Sequence, residues 1–216
     1  MKTATQLIIL NTTKIKDSAI VIHTLSRDFG RRSFLVNVGK GKSMAMFLPL
    51  NIIEAEVIEN PKSDLWKATG FSAVHPLNGI RQSLYKNTMT MFISEVLYRS
   101  VRDGVCEEGL FDWCEKSILT LDALESDFSN FHVRFLLELA VAMGFAPSID
   151  DLRPFAGERL REVSAMMSAS FSESMLIPLS GAVRNELAEI FLRYLSHHTE
   201  SNINIQSLKV LRELYQ

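Results

Sequence analysis

Between Gln6 and Val74 the chain reads as five short runs of β-branched and aromatic residues: Leu7 to Thr13, Ser18 to Leu25, Arg31 to Val38, Ile52 to Ile58 and Leu65 to Val74. Turn residues separate them. Arg27-Asp28-Phe29-Gly30 and Gly39-Lys40-Gly41-Lys42 each supply glycine for the positive φ that a tight hairpin connection demands. Period-2 alternation is clearest where Ile53, Ala55 and Val57 point inward and Glu54 and Glu56 outward. Five strands in so little chain constrain it to a small closed barrel.

After His75-Pro76 the apolar spacing turns helical and stays so. The spacing predicts helices over Asn78 to Arg102 (Ile80, Leu84, Met91, Val96, Leu97 and Val101 toward a core), Glu107 to Leu124, and Asn130 to a stop at Gly144. Residues 146 to 178 read as irregular. Ser180 then caps a helix with an apolar stripe through Leu187, Ile190, Phe191, Tyr194 and Leu195, and Gln206 to Tyr215 forms a short terminal helix. The expected class is therefore α+β with two domains: an OB-fold β-barrel over residues 1–75 and an all-α domain over 76–216. An SH3-like barrel remains open for the first.

Net charge is only −2, but its distribution is uneven. The first 50 residues hold eight Lys and Arg against two Asp, a net of +6, which leaves −8 for the remainder. A polyanion-facing first module on a more acidic body is the expectation. Lys14, Lys16, Arg27, Arg31, Arg32, Lys40 and Lys42 all fall in or beside predicted turns, where they are expected to converge on one groove, neutralise phosphates and release counterions. Phe29, Phe34, Phe47 and Trp66 are aromatics that either stack on bases or fill the core, the core being favoured.

Catalytic groupings are missing from the pattern. Gly39-Lys40-Gly41-Lys42-Ser43 ends like a phosphate loop, but Val36 stands where the earlier glycine belongs and no helical pattern follows. His197 and His198 are adjacent, not one turn apart, and Asp150-Asp151 reads as a solvated loop. Cys106 and Cys114 are too far apart for a CxxC unit and read as buried small hydrophobes in a reducing compartment. Leu7 to Leu10 is too brief for a signal-peptide core and Glu138 interrupts the longest apolar stretch, so a cytoplasmic protein is expected, and with no catalytic grouping in the pattern neither cofactor nor enzymatic activity is expected.

Several pieces, in this order and spacing, carry a resemblance: Ala19-Ile20-Val21-Ile22, the turn before Gly30, Gly39-Lys40-Gly41, Phe131-His132-Val133-Arg134-Phe135-Leu136-Leu137 leading to Met143-Gly144-Phe145, and Tyr194-Leu195 with Ser207 beyond. Together they resemble the RecO family of DNA repair proteins over essentially the full length. The resemblance implies an OB-fold ahead of a helical domain and strand annealing on single-stranded DNA. It also implies recruitment by the SSB C-terminal tail and work with RecR toward RecA loading. It places Arg134 where the family has a basic residue, a candidate for holding the acidic tail, with a helix-surface ion pair as the other reading. Many members carry a four-cysteine zinc site after the Gly-Phe turn; residues 146–178 here contain no Cys or His, so zinc is not expected. The family's lysine before Ser207 is Gln206 here. A protein-interaction adaptor whose barrel binds an acidic segment, without direct DNA binding, is the alternative.

Overall fold

The computed structural model describes residues 2–39 and 44–214. The sequence expectations at Lys40, Gly41, Lys42 and Ser43 lie outside the described residues. Five strands are present: β1 (Lys2–Lys16), β2 (Ala19–Ser26), β3 (Gly30–Asn37), β4 (Ile52–Ile58) and β5 (Leu65–Ala73). They close into a barrel in the order β1-β2-β3-β5-β4, with β3 and β5 parallel and the other neighbours antiparallel. That is an OB-fold barrel.

Its centre is apolar because alternate residues deliver apolar side chains inward: Leu7 and Ile9, Ile20 and Ile22, Phe34 and Val36, Ile53, Ala55 and Val57, Trp66 and Ala68. Each Leu, Ile, Val or Phe among them contributes about 1.5–3 kcal/mol of burial. Glu54 and Glu56 are exposed, as the alternation requires. One end is plugged by Phe29 set edge-on to Trp66 at 5.2 Å, the other by a 3₁₀ turn (Met44–Phe47) whose Phe47 lies edge-on to Phe71 at 5.2 Å. Phe29, Phe34, Phe47 and Trp66 thus take the role favoured for them, in the core or its plugs.

The helices are α1 (Asn78–Gln82), α2 (Leu84–Ser100), α3 (Leu110–Ala123), α4 (Phe131–Ala142), α5 (Ile149–Ala156), α6 (Leu160–Ser168), α7 (Phe171–Leu176), α8 (Gly181–Thr199) and α9 (Ser207–Leu214). The single helix expected over 78–102 is two, because the Ser83 hydroxyl accepts the Lys86 amide and starts a new helix. Leu84 and Met91, expected in the core, are exposed, and Met89, Phe92 and Ile93 are buried instead. Gly144, at φ +81, ends α4 with Gly144 N–H on Val141 O and Phe145 N–H on Ala140 O, the Schellman pattern.

The segment expected to be irregular is helical. Ser148 and Asp151 form a reciprocal capping box that opens α5, and Ser170 and Glu173 form another that opens α7. Asp151 is therefore a cap, not a loop residue, and Asp150 pairs with Arg153.

Two compact units result: residues 1–78 with 93–118, and 79–92 with 119–216. The texture change at residue 76 marks where strands give way to helices, but 93–118 packs with the barrel. In the second unit, Leu187, Ile190, Phe191, Tyr194 and Leu195 of α8 are buried, packing with α4 and α5. His132 of α4 is buried there beside Phe92, and burial together with the charge of Arg184 holds its imidazole down to about 3. Among the described residues no helix is long and apolar enough to cross a membrane.

Candidate nucleic-acid interface

The antiparallel register decides where the basic residues go. Ser26 pairs with Gly30 at one end of the β2–β3 hairpin and Ala19 with Asn37 at the other. Seven residue steps of extended chain put roughly 23 Å between those ends. Arg27, Arg31 and Arg32 lie at the first end; Lys14 and Lys16, flanking the β1–β2 turn, lie at the second. The expected convergence of all these turns on one groove is thus corrected: period-3.3 Å strands hold the two groups apart.

The arginines are also engaged within their own unit. Arg27 donates to Asp112 and to Glu115 at 2.8 Å, reaches Gln6 Oε1 at 2.9 and 3.0 Å, and lies over the Phe111 ring. Arg31 faces Asp103 at 3.7 Å and Tyr98, and Arg32 covers the Trp66 ring with Asp64 at 3.8 Å. Each positive charge already has a carboxylate for company, which offsets its field toward a polyanion.

Residues 102–107 form a strap along the same end. Gly104 N–H donates to Arg31 O at 2.9 Å, and Asp103 makes a lone parallel bridge to Arg31. Gly30, at φ +64, has room only because it lacks a Cβ, which would meet Val105 O at 1.9 Å. Cys106, expected to be buried, is exposed here, its Sγ 3.7 Å from Arg27 O; Cys114 is buried, and burial pushes its thiol up. On the outer side of β2, His23 bonds Thr13 at 3.0 Å and Ser33 at 2.9 Å, with the Tyr98 ring 5.1 Å away. Burial and the Arg31 charge lower its pKa.

The lysine end differs. Lys14 is 69 % exposed and, among the described residues, pairs only with the fully exposed Asp17, an ion pair that solvent screens heavily. Lys16 is exposed and makes no ion pair among the described residues. A third cation was missed by a charge count confined to the first 50 residues: Lys67 of β5 is exposed and also makes no ion pair among the described residues.

Arg134 is not a free surface cation. Its Nε bonds Glu138 at 2.6 Å, and its Nη1 donates to Met166 O at 3.0 Å and Ala169 O at 2.7 Å, the carbonyls that end α6. With its side chain 15 % exposed, it serves as a clamp between α4 and α6. A recess of about 430 Å³ lies by α8 and α9, where Leu192, Ile203, Ile205 and Leu208 meet Arg193, Lys209 and the Arg212–Glu189 ion pair.

The family model described as the C terminal of recombination protein O matches residues 81–152. The DNA repair protein RecO of Phocaeicola vulgatus is 29 % identical, with 96 % of this chain and 97 % of that protein covered. That of Bacteroides fragilis is 32 % identical over 67 % of this chain and 61 % of its own, and that of Flavobacterium psychrophilum is 25 % identical over the whole of both.

Proposed function

The chain belongs to the RecO family of DNA repair and recombination proteins, and on that premise we propose that it is a non-catalytic recombination mediator. It binds single-stranded DNA through its barrel, anneals complementary strands and, with RecR and SSB, assists RecA loading. The observation that carries this reading is a set of exposed lysines on the OB-fold barrel, Lys14, Lys16 and Lys67, whose one ion pair among the described residues joins Lys14 to the exposed Asp17. Each phosphate neutralised there releases a counterion, and two strands so neutralised approach with base pairing as the only free-energy source.

The SSB tail is the second partner. Arg134 has its Nε engaged by Glu138 and its Nη1 by backbone carbonyls of its own unit, so the recess by α8 and α9 is the better seat for an acidic, partly apolar segment. Apolar floor and basic rim both favour that chemistry. Lys209 is exposed at that rim.

Fluorescence annealing of complementary oligonucleotides, titrated with salt, with and without SSB, tests the reading. Annealing that declines steeply with salt is the expected result. Capture of SSB without any binding of naked single strands would instead establish the adaptor.

A further inference from the structure

An OB-fold grips oligonucleotides with the face of its second and third strands. In this chain that face is largely taken. Val21 and Leu25 alternate outward from Ile20 and Ile22 yet are only 7 % and 2 % exposed. Tyr98 and Asp103 occupy His23 and Arg31. An open sheet surface lies one strand further on, where β3 runs parallel to β5 with Leu35 beside Lys67.

That surface is not flat. Leu35, Asn37, Lys67, Thr69, Gly70 and Phe71 line a cleft of about 160 Å³. The sequence builds it with a bulge: Thr69 pairs with Glu56 and Ser72 with Glu54, so β5 carries one residue more than β4. Gly70, at φ +69, is the residue that permits this. Bulges of this kind re-aim a side chain at a barrel rim, and Phe71, half-buried against Phe47, forms a wall of the cleft. An apolar cavity of roughly 150 Å³ is enough to hold one benzene ring.

We propose that this β3–β5 cleft is a nucleotide seat for single-stranded DNA, taking one base against Leu35 and Phe71 while Lys67 meets the adjoining phosphate. The proposal rests on the DNA-binding reading above and deepens it. Asn37 adds an amide at the rim that donates to or accepts from any base edge, consistent with binding that does not read sequence. The direction of the strand follows from charge. On the β4 side, Glu54 and Glu56 are exposed, with Glu56 held by Lys2 at 2.9 Å, and they repel phosphates. On the other side the register leads from Asn37 through Ala19 to Lys16, so the next phosphates are drawn toward the β1–β2 turn.

The test uses the full chain, a fluorescein-labelled oligo-dT and an abasic oligomer of the same length, with affinity measured across a salt series. The wild type is expected to bind oligo-dT, and Lys67→Ala to make the plot of log affinity against log salt shallower by about 0.7. The abasic oligomer should bind the wild type about tenfold more weakly. That penalty should shrink in Phe71→Leu, or in Leu35→Ser should Phe71→Leu fail to fold. An unchanged slope in Lys67→Ala, or an abasic penalty that persists in the cleft variants, overturns the seat and leaves DNA binding standing. Failure of the wild type to bind oligo-dT at all overturns the reading on which the seat depends.

Discussion

The two ends of the barrel hold their cations in different surroundings. At the arginine end, guanidinium groups lie over aromatic rings and face Asp103, Asp112, Glu115 and Asp64. At the lysine end, ammonium groups stand in water with little to hold them. The difference lies in geometry as much as in charge. A planar, weakly hydrated guanidinium stacks and pairs at modest desolvation cost, whereas a compact ammonium keeps its hydration and stays available to a diffusible polyanion. A count of positive residues does not separate paired charge from exposed charge; burial and partners do.

The comparison can be broken most forcefully at Gly30. Gly30→Ala sets a Cβ against Val105 O in a left-handed backbone conformation, and should lower unfolding free energy in urea by at least about 3 kcal/mol. Loss of less than about 1 kcal/mol would mean that the strap is loosely held. Arg27→Ala removes two ion pairs that are partly shielded and one ring contact, with an expected cost of about 1–2 kcal/mol and little change in oligonucleotide affinity. A large affinity loss at unchanged stability would invert the roles of the two ends.

Lys14→Ala with Lys16→Ala should do the opposite. Urea stability should stay within about 0.5 kcal/mol, while the salt slope for single strands falls by about 1.4, two phosphate contacts' worth. The smallest effect is expected from pH. His23 is held below its ordinary 6.5 by burial and by Arg31, with Asp103 opposing. The folded state therefore takes up fewer protons than the unfolded chain as pH falls past 6.5, and the stability present above that value is lost below it. Hydrogen exchange should show amides of β2 and β3 near Arg31 loosening on acidification before those of the β1–β2 turn, and His23→Gln should abolish the difference.

The barrel was legible because its signals are local. Alternation and turn glycine sit inside each strand, and the predicted spans of β2 to β5 agree with the observed ones to within a residue or so. β1 is longer at both ends, since its pairing with β2 and β4 extends it over residues with weak patterning of their own. The short helices α5 to α7 were missed because six to nine residues give little periodicity, although Ser148-x-x-Asp151 and Ser170-x-x-Glu173 were visible capping signals. The arginine residues were found, but the carboxylates that engage Arg27 lie 85 and 88 residues away in the chain. Neutralisation across such a separation leaves no mark on local composition. Lys67 escaped for a simpler reason: no other cation lies near it in its own strand, and its neighbours on β3 and β4 come from strand pairing alone.

The strap has a consequence for behaviour at high concentration. β5 pairs with β3 only from Ser33 onward, so between Gly30 and Arg32 the third strand has an edge that β5 leaves uncovered. A bare edge of that kind is a template on which a second chain can add its own strand. By lending Gly104 N–H to Arg31 O, the loop hides the template, and a protein nicked there should cluster in solution while its barrel remains intact.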